Sequence, residues 1–277
     1  MLKYNTRFLN NSVFFIDCLS DGDFQTARRL FEDVIHFTDP KLGPRCEYFK
    51  ISSKQDLVSL LGGIAEQCRQ GLKPILHFEA HGSILAGLEI GNQKEKITWT
   101  ELIPALRAIN TATKNNSGVV MAACFGLHII KPVSIHEPTP FFFLIGSESE
   151  LYATELEAQL RKFYETIIRG NSLNNAMDCL SDKFKCYHSE KYFLIAMGRY
   201  FKQQCMGKGR KARVERLVTE INQQQARSRK ELKKIRNQIK NGIKPSPEVY
   251  FKYAHNFLHG QITATFTEFM SFLRREQ

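Results

Sequence analysis

The chain has 277 residues, 43% of them hydrophobic, and a formal net charge of +11. That is enough apolar sequence for one sizeable core plus an appendage, while no run is long enough to span a bilayer and no signal peptide is visible over residues 1–11, so no membrane partner is expected. Seven cysteines, an odd number without Cys-x-x-Cys spacing, argue for reduced thiols in a cytoplasm and against a disulfide framework or a structural zinc.

Residues 13–18 (VFFIDC) form a buried-strand pattern, and Ser20-Asp21-Gly22-Asp23 follows as a loop with helix-capping residues. Residues 24–36 place Ala27, Leu30, Phe31 and Val34 on one helical face. Asp39-Pro40 and Gly43-Pro44 mark a loop, and residues 46–51 alternate as a second strand. Ser53 is the expected N-cap of a helix through Gln70, with Leu57, Leu60, Leu61 and Ile64 facing in and Gly71 stopping it. Residues 73–83 (KPILHFEAHGS) are a strand that breaks at His81-Gly82, and period two places His77, Glu79 and His81 on one face of it. Residues 118–126 (GVVMAACFG) are a strand that breaks at Cys124, two before Gly126. Strand, helix, strand, helix, strand is the order of a parallel α/β sheet, whose strand ends share the edge where such folds bind ligands.

That edge would bring an imidazole and a thiol together. The thiolate is the nucleophile of cysteine chemistry, and a nearby imidazole can take the thiol proton and return one to a leaving amine. Gly82 and Gly126 would let backbone approach a substrate and leave amides free for an oxyanion. Alone, the Cys reads as a small buried hydrophobe and the His as a hydrogen-bonded strand end. The pair, each at the end of an apolar strand beside a glycine, favours the chemical reading. His77 reads as structural or as orienting the site.

These residues carry a family resemblance. The caspase signature sets a histidine about 50 residues upstream of Gln-Ala-Cys-x-Gly. Here Ala123-Cys124-Phe125-Gly126 lies 43 residues after His81, with Ala122 in the Gln position. The sequence is closer to the CHAT branch of caspase-like cysteine peptidases: HFEAHG at 77–82 resembles its His-x-x-x-His-Gly, residues 86–99 its hairpin, 100–112 its helix, 119–124 its strand ending in Ala-Cys, and 163–176 its helix, glycine and second helix. The resemblance covers roughly residues 10–180. It implies a caspase-like, mostly parallel sheet flanked by helices, over residues 1–188. It also implies a His81–Cys124 dyad, with the Gly82 and Cys124 amides as oxyanion site, cleaving a protein substrate without metal or cofactor. Bacterial relatives are often effectors switched on by a partner, including in anti-phage systems.

Residues 127–140 read as a loop of the kind that flanks peptide-binding clefts, and 141–146 as another strand. Glu148 and Glu150 beyond it either bind a basic substrate side chain or cap the helix at 152–169. Asp17, Asp21 and Asp23 are rival substrate-binding candidates. Relatives with basic specificity often carry an Asp two before the cysteine, where this chain has Ala122.

Residues 189–277 read as an α-helical extension, with helices expected at 192–206 and 250–275. Between 207 and 244 stand thirteen Lys or Arg against three Glu, nearly the whole net charge. The same stretch spaces Val214, Val218, Ile221, Gln225, Ser228, Leu232, Ile235 and Ile239 as a coiled-coil-like seam with a polar middle. A regulatory or sensor protein docking on this arm competes with nucleic acid bound through residues 208–244, and with a plain solvated helix face. A catalytically silent scaffold, or a nucleic-acid-binding adaptor, is the alternative to the peptidase.

Overall fold

A computed structural model of the chain describes residues 8–170 and 172–275. The fold is α/β, with a mostly parallel six-stranded sheet flanked by helices and a helical C-terminal region. In chain order come β1 (Ser12–Asp17), α1 (Thr26–Phe37), β2 (Arg45–Lys50), α2 (Lys54–Arg69) and β3 (Pro74–Glu79). A small antiparallel sheet follows, built of β4 (His81–Ser83), β5 (Gly87–Ile90) and β6 (Glu95–Ile97). Then come α3 (Trp99–Ala112), β7 (Gly118–Ala122), a 3-10 turn (Gly126–Ile130), β8 (Phe143–Ser147), α4 (Ala153–Gly170), α5 (Leu173–Met177) and β9 (Phe184–His188). The main sheet has the order β2-β1-β3-β7-β8-β9, and only β9 runs antiparallel to its neighbour.

Alternation along the strands builds a core on each face of the sheet. Phe14, Ile16, Leu76, Phe78, Val119, Met121 and Leu144 face one way, onto α2 and α3. Val13, Phe15, Ile75, Val120, Phe143 and Ile145 face the other, onto α1, α4 and α5. Ser53 caps α2 by accepting from the Asp56 N–H, and Gly71 takes a left-handed φ of +106° beyond its end.

The segment 127–140 is more ordered than a cleft-flanking loop. Leu127, Ile129 and Val133 are buried in the α2/α3 core. The Tyr192 hydroxyl donates to the Val133 carbonyl at 2.7 Å, and the Thr139 N–H to the Phe257 carbonyl at 2.9 Å.

The C-terminal region comprises α6 (Ser189–Tyr200), a π-helical turn (Phe201–Cys205), α7 (Gly207–Gln224), α8 (Arg229–Gly242), α9 (Pro247–Leu258) and α10 (Phe266–Arg275). Packing does not stop at residue 188. Phe193, Met197, Phe201, Tyr250, Phe257 and Phe269 belong to the same core cluster as Leu76 and Leu106. α7 and α8 pair as an arm that joins this core through α7, and α8 buries no side chain. The expected continuous seam is instead a helical hairpin. Ser228 and Glu231 form a capping box that starts a new helix where the seam turned polar. Arg236 then grips Glu215 across the hairpin at 3.0 and 2.8 Å. The segment 250–275 likewise splits in two, at His259 and Gly260, both left-handed. Among the described residues no helix is long and apolar enough to cross a membrane.

Candidate active site

Parallel pairing of β3 with β7 sets Glu79 beside Ala122, so both strands end at one edge of the sheet. β3 then breaks at Ala80, and His81 opens β4, a strand of the small antiparallel sheet. Beyond β7 the chain turns through Phe125, whose φ of +59° is left-handed, and its N–H donates to the Ser149 carbonyl at 3.2 Å. Gly82 lies against the Cys124 backbone so closely that a Cβ there would overlap the Cys124 carbonyl oxygen. His81 and Cys124 consequently line one cleft of about 160 Å³, together with Asp23, Glu79 and Leu151. His81 is 58% exposed, open to anything entering from solvent.

Two groups that the sequence did not assign to them hold the pair. Asp23 Oδ2 lies 3.1 Å from His81 Nε2. Burial pushes the Asp23 carboxyl up, but the Ser20 N–H, donating at 2.8 Å, and His81 outweigh it, and the net direction is down. Asp23 thus stays ionised at neutral pH and orients the imidazole. Its loop is itself anchored: the Ser20 hydroxyl donates to the Gly91 carbonyl at 3.1 Å, and the Asn92 amide donates to Asp21 at 2.7 Å. On the thiol side, the Leu151 N–H donates to Cys124 Sγ at 3.3 Å, and the thiol reaches the Leu151 carbonyl at 3.9 Å, so the segment after β8 fixes the sulfur's position. Of the other cysteines, burial pushes Cys18, Cys68 and Cys186 up to about 12 and Cys46 up to about 11, so all four are thiols at neutral pH.

The carboxylates expected to bind substrate sort differently. Asp17 is 0% exposed, is engaged by the Leu19 N–H, the Tyr48 hydroxyl and Lys50, and does not line the cleft. Asp21 is exposed, bonds Asn92 and lies outside the cleft lining. Asp23 does face the cleft, but as the partner of His81. Glu148 and Glu150 are exposed beyond β8, and neither lines the cleft. Gly126 does not leave its amide free: its N–H donates to the Ala123 carbonyl at 3.1 Å, and the missing side chain makes room for Met121.

Beneath the cleft runs a buried polar chain. His77 bonds the Tyr164 hydroxyl at 3.0 Å through Nδ1 and Glu79 at 3.3 Å through Nε2, and Glu79 accepts from the Thr26 hydroxyl. Glu79 is 4% exposed, and burial raises its carboxyl against the opposing pull of His77. The signal for this chain in the sequence was a pair of polar residues, His77 and Glu79, in an otherwise apolar strand. Among the described residues no group of three or more His, Cys, Asp or Glu could hold a metal ion. No protein-family model matches the chain, and no curated protein matches it.

Proposed function

We propose that this chain is a cysteine endopeptidase of the caspase-like, CHAT-like kind, acting through Cys124 and His81. The observation that carries the reading is the convergence of both side chains on one cleft at the ends of neighbouring parallel strands, with Asp23 held against the imidazole. In this reading Cys124 Sγ gives its proton to His81 and attacks the scissile carbonyl carbon. The carbonyl oxygen takes the negative charge and is received by the Gly82 and Cys124 N–H groups. Collapse breaks the C–N bond, and the imidazolium proton leaves with the amine. A water, deprotonated by His81, then hydrolyses the thioester and frees the thiol.

A second reading, a catalytically silent scaffold whose basic arm takes a regulatory protein or nucleic acid, is favoured by one observation. α8 leaves most of its side chains exposed, its basic ones among them except the half-buried Arg236, and within the arm Glu215 and Glu220 are paired with Arg236 and Arg216. Thiol labelling separates the two. An iodoacetamide-type probe at neutral pH, with intact-mass mapping, is expected to label Cys124 fastest in the wild-type chain, to lose that site in Cys124→Ala and to slow sharply in His81→Ala. Labelling of Cys124 that is indifferent to His81→Ala, with and without a binding partner, overturns the peptidase reading.

A further inference from the structure

The base of the basic arm holds a second cavity, well separated in sequence from the dyad. Its volume is about 510 Å³, within the ordinary range for small-ligand sites. Arg210 of α7, Lys244 beyond α8 and Arg274 of α10 all line it, together with Thr267 and Ser271. Residues 267, 271 and 274 fall on one face of α10 by helical spacing, so two hydroxyls and a guanidinium converge from a single helix. None of the lining residues is a carboxylate. The wall is therefore cationic and hydrogen-bonding, with no internal counter-ion.

The start of α7 adds to this field. Gly207 lines the cavity at the N-terminus of an 18-residue helix, where the dipole is positive and the first N–H groups have no partner within the helix. Met206, the N-cap, makes no side-chain cap, and the first turn carries no acid. It carries Lys208 and Arg210 instead, at the end of the helix that disfavours cations. An anion in the cavity offsets that repulsion and supplies the missing cap. Arg210, half-buried on the cavity wall, is incompletely bonded. One of its terminal nitrogens donates to the Lys240 carbonyl at 2.5 Å, yet its Nε is buried without any hydrogen-bond partner. A buried guanidinium N–H left unsatisfied is costly, and it completes its bonding when an oxyanion sits beside it. A π-helical turn immediately precedes this segment, an irregularity that recurs at functional sites.

We propose that this cavity binds a ligand bearing two or more phosphate groups. Three cations, two hydroxyls and a helix N-terminus match phosphoryl oxygens in number and in hydrogen-bonding sense. The phosphates can belong to a free nucleoside polyphosphate or to the 5′-phosphorylated end of a nucleic acid running along the arm. The proposal is independent of the peptidase reading.

The test is isothermal titration of the full chain with inorganic tripolyphosphate at low salt. The wild type is expected to bind saturably at one site. Lys244→Glu combined with Arg274→Glu, both exposed, is expected to weaken binding by about tenfold or more. Arg210→Lys, which keeps the charge but loses the Nε donor, weakens it as well. Lys230→Glu combined with Lys233→Glu on α8 leaves it unchanged. Unfolding temperatures of all variants check that each is folded. Absence of saturable binding overturns the proposal, and so do equal losses from the cavity pair and the α8 pair, which mark diffuse attraction to a basic surface. Competition by adenosine triphosphate alone assigns the phosphates to a nucleotide. Competition that requires the 5′-phosphate of a single-stranded oligonucleotide assigns them to a nucleic-acid end, and competition by both assigns the site to the phosphates themselves.

Discussion

Gly82 decides whether the two halves of the candidate site can meet. It sits in β4, and a Cβ there would overlap the Cys124 carbonyl oxygen and crowd the carbon and nitrogen of the same residue. The obstacle is main chain, so no rotamer change relieves it. Gly82→Ala must push β4 away from the end of β7, and overpacking of this kind costs about 1–3 kcal/mol. In a chain of this size 1 kcal/mol moves the unfolding midpoint by about 2–4 °C. The expected loss is thus about 2–12 °C by scanning calorimetry, together with a loss of preferential probe labelling at Cys124. The control lies on α2, where a Cβ on Gly62 or Gly63 would meet no atom within 4 Å. There the same substitution removes backbone freedom from the unfolded chain and adds about 0.5–1 kcal/mol. Opposite signs at positions 82 and 62 are the expected outcome. A Gly82→Ala protein that melts with the wild type and labels Cys124 at the wild-type rate refutes the idea that this close approach assembles the site.

Asp23→Asn removes the charge that faces His81 while keeping the side chain's shape. With His81 58% exposed, solvent screens the pair to about 0.2–1 kcal/mol, so Cys124 labelling is expected to slow by about 1.5- to 5-fold across neutral pH with the melting temperature nearly unchanged; an unchanged rate assigns Asp23 to loop structure alone. Glu79 gives a pH dependence of stability. Burial raises its folded value, so the folded chain holds this proton more tightly than the unfolded chain does. The stability tied to that proton is full below about 4.3, the unfolded carboxylate value, and is lost as pH rises through the raised folded value. Urea midpoints measured from pH 4 upward are therefore expected to fall more steeply in wild type than in Glu79→Gln, and parallel curves sink this account of the buried chain.

Much of the fold was legible because burial and period agree there. Residues 13–17, 74–79 and 118–122 are buried on both faces and mostly apolar, as strands covered by helices on each side must be, and the Ser53 cap and Gly71 stop bracket α2 as read. The arm was misjudged because two local signals conflicted. Spacings of four and three ran from Val214 to Ile239, but the seam turned polar at Gln225 and Ser228, and Ser228-x-x-Glu231 begins a helix more strongly than a polar seam continues one. Periodicity also marks which residues face a partner without naming that partner. Val214 and Val218 are buried, while across the hairpin Arg236 bonds Glu215.

The site was legible at the two positions where a reactive side chain meets a strand end, and obscure wherever the outcome depended on neighbours in space. Asp17, Asp21 and Asp23 are alike in the sequence, three acids within seven residues. Their roles part because β1 lies between β2 and β3. Asp17, the last residue of β1, pairs across the sheet with Lys50 on one side and Glu79 on the other, and burial commits it to Tyr48 and Lys50. Asp21, out in the loop, meets Asn92 in the turn between β5 and β6 and fixes the loop's path. Asp23 returns from that anchored loop directly onto the imidazole that the same small sheet presents. The three strands β4, β5 and β6 thus position the histidine and hold the loop that bears its carboxylate. Disturbing Asn92 should misplace Asp23 without touching either reactive residue. Asn92→Ala is accordingly expected to reproduce the Asp23→Asn labelling rate, and to add nothing when combined with it. Additive losses in the double variant would show that the loop and the carboxylate act on Cys124 by separate routes.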